Sequence, residues 1–121
     1  MRVDSSLTIR ALYALCLAGA TFNHARIVFE HGRWWDYGGV HPFYSTFWTS
    51  LTFLDALAVV LLFAKPRAGL ALTTAIIVTD VLVNASAGFL YRFDWPSFAA
   101  QSGFMVFVLT TVGRAWHARV G

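Results

Sequence analysis

Charge is scarce in this chain. Only 12% of its 121 residues are Asp, Glu, Lys or Arg, against about 25% in a soluble domain. So few charges cannot cover a water-facing surface. Cysteine is almost missing too: Cys16 stands alone. That excludes an internal disulfide, a C-x-x-C redox pair and a thiolate zinc site, and leaves Cys16 as a small apolar residue packed in a helix. There is no phosphate loop, no dinucleotide fingerprint, no Ser-centred nucleophile elbow and no H-E-x-x-H. No segment is polar enough for a second domain, no linker is long and no internal repeat is convincing, so residues 1–121 read as one domain.

The net charge of +3 does not point to nucleic acid. The basic residues are dispersed at segment ends, and no stripe of them tracks a phosphate backbone.

What the chain has in abundance is apolar surface, 58% of its residues. It comes in four runs, at about 7–29, 43–64, 69–91 and 97–115. Each approaches the roughly 20 residues that a helix needs to cross the hydrocarbon core. In lipid each backbone group must be satisfied within its own segment, so the runs are expected to be helices. The expected fold is all-α: an integral membrane four-helix bundle, up-down-up-down. Gly38-Gly39 and Pro42, Lys65-Pro66-Arg67, and Asp94-Trp95-Pro96-Ser97 break the runs, and Asp94 or Ser97 suits a cap on the last helix.

The basic residues set a direction. Arg2, Arg10, Lys65, Arg67, Arg114 and Arg119 fall on one side of such a bundle, and Arg26, Arg33 and Arg92 on the other. The positive-inside bias puts both termini in the cytoplasm, in a multi-pass protein of a bacterial inner membrane. Trp34, Trp35, Tyr37, Tyr44, Trp48, Tyr91 and Trp95 gather at the opposite interface, where amphipathic rings are favoured. A rival reading makes residues 1–20 a cleaved signal peptide, with Arg2 and Arg10 before residues 11–17 and Ala18-Gly19-Ala20 as the small-residue site. Against it, the apolar pattern runs on through Ile27-Val28-Phe29 and makes a full span.

Two acids break the apolar pattern. Asp55 and Asp80 each sit near the middle of a run with no Lys or Arg close by in sequence. A carboxylate near the bilayer centre costs at least a few kcal/mol, so such residues are functional candidates by default. The Lys65–Arg67 turn makes the second and third helices antiparallel neighbours. Asp55 precedes Lys65 by ten residues and Asp80 follows Arg67 by thirteen, which brings both to similar depth. Two adjacent buried carboxyls cannot both ionise cheaply, and the pair is expected to share a proton or hold a cation. The plainer alternative is that each satisfies a local helix–helix hydrogen bond, Asp55 to a Thr or Asp80 to Asn84.

Above the acids the pattern places an outer polar layer of His24, Asn84 and Gln101, with Tyr44, Thr52 and Ser102. His24 is the best acid–base candidate, since imidazole titrates near neutrality. Arg26 is expected to turn outward toward Glu30. His24, His31, His41, Glu30 and Asp36 match no ligand-spacing motif, so neither metal nor haem is expected. Residues 37–39 read as an interfacial turn or as a lid over a cavity mouth.

In kind, Asp55, Asp80 and His24 resemble the acidic and His groups that the emopamil-binding-protein superfamily arranges around an intramembrane cavity. That resemblance implies a site for an apolar amine or a sterol-like molecule. Small multidrug exporters are similar in length but rely on an acid in the first helix, where this chain has none before Glu30.

The expected function is therefore an outward-opening polar cavity that binds or moves a small cationic or amphiphilic ligand. Asp55 and Asp80 form its floor, His24, Asn84 and Gln101 orient the ligand, and Trp48 and Tyr44 wall the mouth. No cofactor is called for. Enzymatic activity is not expected, although isomerase-type acid–base chemistry fits the same groups. Proton-coupled transport on this plan would use a homodimer; the competing class is an accessory or assembly subunit of a larger membrane complex, in which the aspartates only hold helices together.

Overall fold

The computed structural model describes residues 5–32 and 34–118. It holds four helices and, among the described residues, no strand: α1 (Ser5–His31), α2 (Pro42–Ala64), α3 (Pro66–Leu90) and α4 (Trp95–His117). The helices are longer than the apolar runs by a few residues, because polar caps and prolines rather than hydropathy set their ends. Pro42, Pro66 and Pro96 lie in the first turns, where a missing N–H costs nothing. The Nδ1 of His41 accepts from the Phe43 N–H at 3.1 Å and caps α2. Asp94 takes the N-cap position of α4, but its carboxylate accepts from the Ser97 hydroxyl at 2.8 Å.

Each helix packs antiparallel on its neighbours in a ring. Arg10 meets Leu62 and Ser6 meets Ala115, so α1 lies against α2 and α4. Tyr44 meets Ser86, and Asn84 meets Gln101, closing the ring through α3. One residue, Lys65, is both the C-cap of α2 and the N-cap of α3. So short a turn forces close approach: a Cβ on Gly69 would collide with the backbone of Leu61 and Leu62. The opposite end carries the connections 32–41 and 91–94, called here the loop end. Tyr37, Gly38 and Gly39 all have positive φ there, and only the tyrosine strains to hold it.

Around an apolar core the exterior is apolar as well, and a few polar groups are buried. Phe22, Phe29, Phe53, Leu82 and Phe89 are exposed, while Ser6, Arg10, Thr73, Asp55 and Asp80 are buried. Outward hydroxyls turn back onto their own helix, as Thr21, Thr74 and Thr110 do to Leu17, Leu70 and Val106. Three helices, α1 from Ser6, α2 and α3, are long and apolar enough to cross a membrane. The fourth expected span is long enough but less apolar, because Ser97, Gln101, Ser102, Thr110 and Thr111 interrupt it.

Two expectations about single residues change. Cys16 is exposed on α1 rather than packed. Arg10 is only 4% exposed. It donates from Nη1 to the Leu62 carbonyl at 2.6 Å and from Nε to Ser6 at 3.1 Å, while Ser6 donates to the Ala115 carbonyl at 3.0 Å. Arg67 donates to the Trp116 carbonyl at 3.3 Å. These are helix C-terminal carbonyls that the helices themselves leave unpaired. Cations also suit the negative end of a helix dipole. Arg10 thus has a packing role beside any part in orientation. Arg26 faces outward as expected, 3.7 Å from Glu30. Arg2, Arg33 and Arg119 lie outside the described residues.

Candidate functional site

The second and third helices bring Asp55 and Asp80 into one buried cluster. Asp55 is 1% exposed and Asp80 7%. Asn84 does not bond Asp80; it is held by Trp48 and Gln101 instead. Neither oxygen of Asp55 has a hydrogen-bond partner, nor does Oδ1 of Asp80. The hydroxyls of Thr52 and Thr73, one and two turns away on the same faces, are also buried and unpartnered. The cluster is therefore not a set of satisfied helix–helix bonds. Unpaired buried polar atoms are costly, and several on these helix faces make this the candidate site.

His24 on α1 approaches this cluster from the loop end. Its Nε2 lies 3.9 Å from Oδ2 of Asp55, too far for a direct hydrogen bond and within reach through one water or a small shift. Its Nδ1 is buried without a partner.

His24 is also a wall of a cavity of about 390 Å³ that opens at the loop end. Trp48, Asn84 and Gln101 line it as well, which unites four of the seven sequence-predicted site residues. The remaining three, Tyr44, Asp55 and Asp80, are not among the lining residues; His24 both lines the cavity and lies beside Asp55. Tyr44 hydrogen-bonds Ser86 at 2.6 Å and packs edge-on against Tyr91, which does line the cavity and accepts from the His41 N–H at 2.8 Å.

The polar wall is a relay across three helices. The Trp48 indole donates to Oδ1 of Asn84 at 2.7 Å, and Nδ2 of Asn84 donates to Oε1 of Gln101 at 2.6 Å. Sequence reading missed the rest of the lining, notably Ile27, Val40, Phe93 and Phe98. An apolar residue at a helix end carries no signal of which way it faces. Tyr37 had one: it precedes Gly38-Gly39, and it lines the cavity while stacked on Trp35 at 4.6 Å and tilted against Trp48 at 5.0 Å. Among the described residues no three metal-ligating side chains converge. Comparison with protein-family models, with curated proteins and with solved structures finds no match.

Proposed function

We propose that this chain is a four-span membrane protein, both termini cytoplasmic, that binds a small amphiphilic ligand in the loop-end cavity and couples that binding to protons through Asp55 and Asp80. The membrane part is supported by the apolar exterior around buried polar groups. That arrangement suits a solvent of hydrocarbon. The α4 helix, though less apolar, packs between α1 and α3 and turns its hydroxyls onto carbonyls, as a span must.

One observation carries the functional part: His24 belongs at once to the cavity wall and to the unpaired acid cluster, 3.9 Å from Asp55. An imidazole exchanges protons near neutrality. Placed there, it links a ligand's arrival to the protonation of the pair behind it. The mostly apolar cavity with a few convergent polar groups has the character of a small-molecule site.

Native mass spectrometry of gently extracted protein tests this reading. The wild type is expected to carry a small amphiphile, and the Ile27→Trp variant, whose larger side chain fills the cavity, is expected to lose it. Equal loading of both, or an empty wild type, would overturn the proposal.

A further inference from the structure

The relay along the cavity wall fixes which hydrogen-bonding polarity the cavity presents. An indole nitrogen can only donate. Trp48 therefore obliges Asn84 to turn its oxygen toward α2, at 2.7 Å. The Asn84 amide nitrogen must then face Gln101, whose oxygen accepts it at 2.6 Å. That leaves the Gln101 NH₂ with no acceptor among the described residues, on a side chain that lines the cavity.

The other polar groups do not reverse this. His24 Nδ1 is shut away from solvent. Asp94 accepts from the Ser97 hydroxyl, and Arg92 lines the same cavity, so that wall carries both signs of charge. The Tyr37 hydroxyl is buried, the Tyr91 hydroxyl already accepts from the His41 N–H, and the Arg92 guanidinium can only donate; Ile27, Val40, Phe93 and Phe98 supply much of the apolar wall.

Resting on the ligand-binding reading above, we infer that the cavity selects an apolar molecule carrying a hydrogen-bond-accepting oxygen, a carbonyl or carboxylate, and discriminates against amines. A carbonyl oxygen completes the Gln101 amide. An ammonium group meets that amide donor to donor and leaves both unpaired, which costs more than a missing contact. Specificity for the headgroup thus originates in Trp48, two residues back along the relay.

Full-length protein in nanodiscs, titrated with methyl dodecanoate, dodecanoic acid and dodecylamine, tests the inference. The two oxygen-bearing probes are expected to bind at least about tenfold more tightly than dodecylamine, the ratio that about 1.4 kcal/mol of hydrogen bonding gives. Gln101→Glu still accepts from Asn84 with one oxygen but offers the cavity a second acceptor, so it should reverse the order in favour of dodecylamine. Gln101→Leu should bind all three without preference. Equal or tighter dodecylamine binding by the wild type, or an order unchanged in Gln101→Glu, overturns the inference and leaves the cavity reading intact. No binding of any probe by the wild type overturns both.

Discussion

Replacing Arg10 with methionine would strip donors from the Leu62 carbonyl and from Ser6 while keeping most of the side-chain volume. Hydrogen bonds to charged groups contribute about 1.5–3 kcal/mol each, so the loss of two should show in detergent unfolding as about 3–6 kcal/mol. A change well under this would mean that the arginine only reports orientation. Asp55 behaves oppositely. Its carboxyl oxygens are buried and unpartnered, so Asp55→Asn should leave stability unchanged or raise it by about 1–2 kcal/mol. A residue kept as helix glue would instead lose stability on the same change. Of these two side chains the sequence exposes only one. An aspartate in the middle of an apolar run is conspicuous from its neighbours alone. An arginine near a helix end looks the same whether it faces lipid headgroups or, like Arg10, a helix carbonyl contributed by Leu62, far away in the chain.

At the scale of the elements, the closest approach lies where α2 and α3 meet across Lys65. Gly69 has the Leu61 and Leu62 backbone where its Cβ would be, whereas Gly103 on α4 has nothing within 4 Å. Gly69→Ala should therefore lower the melting temperature, with an overpacking cost of about 1–3 kcal/mol, and Gly103→Ala should not. Similar effects of the two substitutions would contradict the close α2–α3 contact. Helix number, order and approximate ends were readable because 3.6-residue helices must satisfy their own backbone in apolar surroundings and because Pro42, Pro66 and Pro96 mark the starts. Which faces meet was readable only for α2 and α3, whose one-residue turn fixes their register. The relay from Trp48 through Asn84 to Gln101 joins three helices, and the sequence supplied its members, as aromatic wall or polar layer, without their connection.

For the molecule as a whole, the features cohere as an apolar-surfaced bundle with a cavity. Apolar rings face outward, a cavity opens at the loop end, and acids lie behind a histidine. Such a body is predicted to partition into a bilayer with residues 32–41 on the far side from its termini. Cysteine labelling checks this: a Gly38→Cys variant, made in a Cys16→Ser background, should react with a membrane-impermeant maleimide added outside intact cells. Labelling only after the membrane is opened would reverse the orientation. The burial of the two acids within apolar runs was legible, the approach of His24 was not, because it is 31 residues from Asp55 and only the packing of α1 on α2 brings them to 3.9 Å.

Linkage between the cavity and the acids is the centre of the account, and calorimetry reads it most directly. Methyl dodecanoate, which has no titratable group of its own, is titrated into the nanodisc-embedded protein at one pH in buffers of different ionisation enthalpy, so that the slope of heat against buffer enthalpy counts protons exchanged on binding. A non-zero count for the wild type that disappears in Asp55→Asn is the predicted result; binding with no proton exchanged, or the same count in the variant, would contradict it.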